Sequence, residues 1–397
     1  MAVSEDHADI REAVRKLCAR FGGAYWRAKD KAREYPTAFV RAMGDAGYLA
    51  ALIPTEHGGS GLPLSAAAAI LEEVHASGGN GAACHAQMYV MGTVLRHGSN
   101  VQKAAWLPRI ASGELRLQAF AVSEPDSGSD TLSLATRAVR DGDDYVITGQ
   151  KIWTSRAEHS DVMVLLARTA PLGETASRAG LPVGKARQKR TEGLSAFIVD
   201  MRAAVGHGLS IRQIDTMMNH ATCALFFDGL RVPAANLIGE EGQGFRTIVS
   251  GMNAERLLIA AECIGDAKWF IDRATAYAKQ RVVFGRAIGQ NQGVQFPIAR
   301  AYAQMRAAEL MVRDGLARFE AGEACGEQAN IAKMLAAEAS FAAGEACLQT
   351  HGGFGFASQY DIERKWRETR LYQVAPISTN MILSYIGEHV LGMPRSF

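Results

Sequence analysis

No two cysteines of this chain stand close enough to form a C-x-x-C pair: Cys18, Cys84, Cys223, Cys263, Cys325 and Cys347 are scattered along it. That spacing argues against a zinc site or a disulfide framework, so reduced buried thiols and no metal are expected, in a cytoplasmic protein. Long apolar runs are also missing; none approaches the roughly 20 residues that a membrane-spanning helix needs. Neither sign of charge dominates, because 43 Lys and Arg stand against 41 Asp and Glu. A net charge of +2 falls far short of the basic excess of a dedicated nucleic-acid binder. The first residues, MAVSEDHADIRE, contain acids and lack the Arg-rich character of a transit peptide. No G-x-G-x-x-G precedes a helix, which excludes a Rossmann dinucleotide site.

What is present is an ordinary globular composition, 48% hydrophobic and 21% charged over 397 residues, enough for two or three domains. Residues 1–115 read as helical. Ile10, Val14, Leu17 and Phe21 recur at helical spacing after the capping candidate Ser4, and Gly22-Gly23 is expected to end that run. Pro36 opens a second helix, alanine-rich helices follow at about 64–76 and 80–97, and Asn100 caps another. From Leu117 the texture changes to short runs rich in β-branched and aromatic residues, with RDGDDY (140–145) as a hairpin turn. Residues 116–233 therefore read as an antiparallel β domain, interrupted by a long polar loop at 171–193. Within 234–397 the helical period returns near 243–279, 296–321, 324–350 and 376–392, long enough for a four-helix bundle. The expected class is α+β: an N-terminal helical domain, a central antiparallel β domain and a C-terminal four-helix bundle.

Four separated motifs carry further meaning: AFAVSEPDSGSD (119–130), GQKIWTSRAEHSD (149–161), RVVFGRAIGQNQ (281–292) and QTHGGFGF (349–356). Together, in this order and spacing, they resemble the acyl-CoA dehydrogenase family, and the likeness covers essentially the whole chain. It implies an FAD site with contributions from several segments. Phe120, Val122 and Ser123 fall where the family offers its backbone and hydroxyl groups to the flavin, with Gly128 and Ser129 on the adjoining loop. Trp153, Thr154 and Ser155 fall where an indole shields the ring and donors meet its N5 edge, a place where donors stabilise the charge left by an accepted hydride. Arg281 and Phe284 match the residues that hold the FAD diphosphate and adenine, an apt use of a two-pronged guanidinium. Gln292, Gln349, Gly352 and Gly353 continue that set, which in the family reaches the flavin of a neighbouring subunit. A homo-oligomer, tetramer or dimer, follows. Ser378 and Asn380 keep a hydroxyl and an amide at the flavin-contacting end of RLYQVAPISTNMI (370–382). Taken alone, Trp153 reads as core, which the context reverses; for Arg281 the alternative is a solvated surface charge.

The resemblance also exposes a gap. Many family members carry their catalytic glutamate at the position held here by Pro376, which has neither an acid–base group nor a backbone N–H. The isovaleryl-CoA and long-chain dehydrogenases place it instead on the first long helix of the bundle, directly before an arginine that contacts CoA. In GMNAERLLIAAECIG (251–265) Glu255 and Arg256 reproduce that pair, with Asn253 beside them as a further CoA-ester contact and Ser129 on the facing loop. Burial between apolar helices raises a carboxyl pKa towards neutrality, which suits a base that must later release its proton. Glu262, Glu363 and Glu368 are the competitors. Basic residues Arg178, Lys185, Arg187, Lys189 and Arg190 offer contacts to the CoA phosphates or are simply solvated. The bulky Met88, Tyr89 and Met91 either shorten the acyl pocket or pack a helix.

The resemblance implies oxidation of an acyl-CoA to its trans-2-enoyl-CoA, with electrons passed to an electron-transfer flavoprotein. Alternatives on the same fold are an enoyl-CoA reductase, an acyl-CoA oxidase, a desulfinase, or a non-catalytic flavin carrier that binds DNA. The last is disfavoured by the small net charge.

Overall fold

The computed structural model describes residues 6–170 and 191–395. The capping candidate Ser4 and the basic residues Arg178, Lys185, Arg187, Lys189 and Arg190 lie outside the described residues. Six helices come first: α1 (Ala8–Cys18), α2 (Gly23–Ala32), α3 (Thr37–Asp45), α4 (Leu64–Ala76), α5 (Ala82–His97) and α6 (Asn100–Ala111). Gly22 interrupts the helical run, as expected, but Gly23 begins α2 at once. The reason is tertiary: α2 brings Trp26 into an aromatic cluster, its ring 4.9 Å from Phe39, and that burial outweighs two adjacent glycines. The cap of α6 is Ser99 rather than Asn100. Ser99 Oγ accepts from the Gln102 N–H at 3.1 Å while Gln102 Oε1 accepts from the Ser99 N–H at 2.9 Å, a reciprocal pairing that needs the acceptor side chain three residues on.

Eight strands follow: β1 (Leu117–Ala121), β2 (Arg137–Asp141), β3 (Asp144–Ser155), β4 (Val162–Arg168), β5 (Leu194–Asp200), β6 (Leu209–Gln213), β7 (Thr222–Pro233) and β8 (Leu237–Ile238). They form one sheet in the order β6-β7-β3-β2-β4-β5-β8, with β1 beside β4. The β2–β3 hairpin closes with Asp141 opposite Asp144, where the turn signal lies. Most pairs are antiparallel, but β1 runs parallel to β4, and β2 touches β4 in parallel at Arg137–Arg168. Every residue of β4 is buried. One face of the sheet has its own core, including Ile147, Met163, Phe197 and Leu225; the other packs on Val90, Met91 and Leu107 of α5 and α6.

The chain then enters α7 (Gly244–Val249), α8 (Met252–Gln280), α9 (Gln292–Glu320), α10 (Gly326–His351), α11 (Ile362–Arg370) and α12 (Thr379–Tyr385). Three of these are long. The segment expected as a fourth long helix instead gives α12 and a wider turn at Ile386–Val390, so the bundle's last member is short. Helices from before and after the sheet share one core: Phe39, Ile70 and Leu71 join Leu257, Phe270, Ala308 and Ala336. The site described next lies around the start of α8, where α8 packs on α5 and α10 and α5 packs on β1. All six cysteines are buried and unpaired. Among the described residues no helix is long and apolar enough to cross a membrane, and no cluster of three metal-ligating side chains occurs.

Candidate functional site

Glu255 stands in the first turn of α8, only 2% exposed, and its Oε2 has no hydrogen-bond partner. A helix N-terminus favours the charged carboxylate, yet burial prevails and lifts the pKa to about 8, opposed by Arg256 and Lys333 and reinforced by Glu262. The neighbouring Arg256 donates from Nη1 to Asn253 Oδ1 at 3.0 Å, so the two residues that flank the base in sequence are already joined. The competing acids are otherwise engaged. Glu262 accepts from Tyr372 Oη at 2.8 Å, Glu363 pairs with Arg367 at 2.8 Å, and Glu368 pairs with Arg364 at 2.8 Å.

Pro376 is exposed, and the segment around it is held from below by a residue that the sequence reading did not single out. Lys333 of α10 is completely buried. Its Nζ donates to Tyr372 O at 2.5 Å and to Ile377 O at 2.6 Å, clamping both ends of the segment that contains the proline. Burial lowers its pKa to about 8, while Cys263 and Glu255 pull the other way. One signal was available: in ANIAKMLAAEAS a lysine shares a helical face with Ala329, Ala336 and Ser340, all buried. Just beyond the clamp, Ser378 caps α12 by accepting from the Met381 N–H at 3.4 Å, and Asn380 is exposed beside it.

The strand-side residues meet around β3. Lys151 Nζ donates to Val122 O at 2.9 Å and to Glu124 Oε1 at 2.8 Å, and Ser123 O accepts from the Ile152 N–H at 2.9 Å. These bonds tie the end of β1 to the end of β3. The β3–β7 register breaks between Lys151 and Thr154, a bulge of the kind that redirects side chains at functional sites. Trp153 sits in that bulge at φ 59°, and its indole is 59% exposed. Thr154 faces the other way, fully buried, with its hydroxyl unpartnered. Ser155 follows, half-buried. Phe120 lies 5.5 Å from Tyr89 of α5, edge to face, and so joins this strand end to the helix opposite Glu255. Gly128 and Ser129 are exposed, with open space where a Gly128 side chain would stand. The uncovered Trp153 indole, the unpartnered Thr154 hydroxyl and the open Gly128 turn fit a flat, polar-edged ring such as a flavin.

The remaining residues gather elsewhere. Arg281 follows the last residue of α8 and lies over the Phe354 ring at 5.9 Å. Phe284 is fully exposed at φ 53°. Gln292, Gln349, Gly352 and Gly353 are exposed as well, and a side chain at either glycine would meet nothing within 4 Å. Glu255 and Arg281 flank the same helix, 26 residues apart, which is about 39 Å at 1.5 Å per residue. One chain therefore does not bring the two sets together.

Comparison with known proteins agrees along the length of the chain. The acyl-CoA dehydrogenase N-terminal, middle and C-terminal domain families match residues 4–114, 119–230 and 242–391. Acyl-CoA dehydrogenase FadE12 of Mycobacterium tuberculosis (strain ATCC 25618 / H37Rv) is 31% identical over 398 residues, covering 99% of this chain and 98% of that protein. A 3-(aryl)acrylate reductase of Clostridium sporogenes (strain ATCC 15579) is 31% identical over 379 residues, covering 94% and 95%. Among solved structures, a glutaryl-coenzyme A dehydrogenase in complex with glutaryl-CoA superposes with a TM-score of 0.88 at 27% identity, covering 100% of this chain and 98% of that one.

Proposed function

Since the chain belongs to the acyl-CoA dehydrogenase family and is an oxidoreductase of it, we propose that it oxidises an acyl-CoA thioester to the trans-2-enoyl-CoA, with Glu255 as the base. The single observation that carries this reading is the buried, unpartnered Glu255 carboxyl at the start of α8. Glu255 takes the proton from Cα; the hydride leaves Cβ, and the electron pair of the broken Cα–H bond becomes the new double bond. FAD supplies the hydride acceptor. Trp153, Thr154 and Ser155, with Val122, Ser123 and the 378–380 turn, would hold its ring. Trp153 excludes water from one side, and Thr154 offers the hydroxyl that now lacks a partner. Arg256 and Asn253 would meet the CoA moiety. The Arg281 end would hold the FAD of a second subunit, and the 39 Å separation along α8 supports a homo-oligomer. An electron-transfer flavoprotein is the proposed electron acceptor.

A raised pKa favours one second reading. At neutral pH a carboxyl with a pKa of about 8 is mostly protonated, the form that delivers a proton to Cα when an enoyl-CoA is reduced. The similarity to a 3-(aryl)acrylate reductase is compatible with that direction. Anaerobic mixing separates the two. Bleaching of the bound flavin by saturated acyl-CoAs, screened from C4 to C16, supports dehydrogenation. Reoxidation of the chemically reduced flavin by enoyl-CoAs, without bleaching by any saturated ester, supports reduction instead.

A further inference from the structure

Arg156 directly follows β3 and is only 7% exposed. Its hydrogen-bonding partner is His220: Nη2 lies 3.1 Å from Nδ1 and 3.3 Å from Nε2 of the imidazole. A guanidinium can only donate, so the ring nitrogen that accepts from it carries a lone pair and His220 is neutral. Burial and the neighbouring Arg156 lower the histidine pKa in the same sense. No carboxylate among the described residues pairs with Arg156. Glu262, the acid whose field reaches it, accepts from Tyr372 Oη at 2.8 Å instead. A buried guanidinium that faces only a dipole is costly, and a small anion relieves that cost.

The same side chain lines a cleft between the N-terminal helices and the sheet, with Lys29, Asp30, Tyr35, Asn80 and His220. Neither Glu255 nor Tyr89, nor any residue assigned to the flavin, belongs to its walls. The two other wall charges are already matched: Lys29 Nζ pairs with Glu34 at 2.6 Å, and Asp30 with Arg367 at 2.7 Å. Among the described residues, Arg156 is thus the wall charge without a partner of opposite sign. Asn80 accepts from the Ala82 N–H through Oδ1 at 3.0 Å, which leaves its Nδ2 donors for a ligand. The cleft volume, ≈ 30 Å³, suits about two waters or one ion of three or four heavy atoms.

Its walls are held from both sides. Arg156 has φ 59° and Ala221 φ 49°, left-handed conformations that residues with a side chain rarely adopt, and the Arg156 N–H donates to Ala221 O at 2.6 Å. Such strain persists only where the surroundings enforce it, and ligand clamps are one such place. At the rim, Asn219 Nδ2 donates to Lys29 O at 3.0 Å and to Glu34 O at 2.9 Å. Tyr35 stacks on His159 with ring centres 4.2 Å apart.

We propose that this cleft binds one small planar oxyanion of the carboxylate type, formate- or bicarbonate-sized, with Arg156 as its counter-charge and the Asn80 amide as a second donor. Parallel N–H groups of a guanidinium match the two oxygens of such an ion, and the volume is too small for an acyl chain. The bound ion ties the start of α5 to the end of β3, and so fastens the N-terminal helices to the strand that bears Trp153. The site stands whichever way the acyl-CoA chemistry runs.

Titration of the flavin-loaded enzyme with isotope-labelled formate tests this, with ionic strength held constant by gluconate, which is too large for the cleft. The line width of the formate resonance is expected to report saturable binding of one ion per chain, with a dissociation constant on the order of 1 mM. The melting temperature should rise along the same saturation curve. Arg156→Leu should weaken binding by about 10-fold or more, the loss of a charge-assisted hydrogen bond. Arg156→Lys, which keeps the charge but not the paired donors, should fall between, and Asn80→Ala should cost less. Broadening by wild type that never saturates overturns the proposal, whether or not the variants fold. So does saturable binding that survives Arg156→Leu, since the ion would then sit elsewhere. Formate displaced by excess hexanoyl-CoA would place the ion in the acyl pocket and equally overturn a separate site. Chloride that binds as tightly as formate overturns the assignment to a planar oxyanion.

Discussion

Glu255 concentrates the chemistry in one carboxyl, and Glu255→Gln isolates it. The variant keeps size and hydrogen-bonding groups but cannot accept the α-proton. Flavin reduction by the best acyl-CoA is expected to fall roughly 10²–10⁴-fold, the usual contribution of a positioned base. In wild type the reduction rate should climb with pH through about 8, and that rise should be absent from the variant; anaerobic stopped-flow bleaching measures both. If Glu255→Gln bleaches as fast as wild type, the residue is structural. A second consequence concerns stability. The folded-state pKa is raised above the ordinary 4.5 to about 8, so the folded protein binds more protons than the unfolded chain across that interval. The stabilisation is complete below about 4.5 and is lost as pH rises through about 8. Melting of the ligand-free protein should accordingly show Glu255→Gln gaining on wild type between pH 6 and pH 9. A difference in melting temperature that is flat with pH would contradict the assignment.

At the scale of elements, α8 and α10 act as a pair: α8 presents Glu255, and α10 presents Lys333 to the segment that carries Pro376. The proline removes the base and an N–H from that segment, whereas the lysine keeps the path of the chain by bonding the carbonyls on either side. Lys333→Met should release both. Each buried carbonyl left unpaired costs about 1–3 kcal/mol, so a lower melting temperature is expected. Lys333 is also one of the two cations that hold the Glu255 pKa down. Its loss should therefore move the rise in flavin reduction to higher pH, a displacement that loosened packing alone would not produce. An unmoved pH profile in a folded Lys333→Met enzyme would detach the lysine from the base.

The whole molecule poses a problem of distance. The candidate base Glu255 and the Arg281 group lie about 39 Å apart along α8, and the Arg281 end leaves Phe284, Phe296 and Phe356 exposed. A second copy of the chain would satisfy both the flavin and these apolar side chains. Arg281→Ala should weaken FAD retention, because a diphosphate would lose its two-pronged partner. The readout is the ratio of flavin absorbance to protein after gel filtration, with the oligomeric mass from light scattering. A monomer that retains its full complement of FAD would contradict the shared site.

The order of helices, then sheet, then helices was determined by the sequence itself, because apolar periodicity and turn residues act locally: Leu117 opens β1, and Asp141–Asp144 closes the hairpin. The family was legible for a similar reason. Motifs such as FAVSEPDSGSD and IWTSRAEHSD are contiguous, and the Glu255-Arg256 pair is adjacent in the chain. Tertiary structure decided what depends on contacts between distant segments. It opened a new helix at Gly23 to bury Trp26, shortened the final helix, and set β1 parallel to β4. It placed Lys333 beneath Tyr372 and Ile377, and it turned Arg156 inward to meet His220 rather than a carboxylate. The small-residue face around Lys333 signals its burial but not its partners, and nothing local to Arg156 marks it as buried. The charge of each, and hence its use, is set by the burial and partners that only the assembled fold supplies.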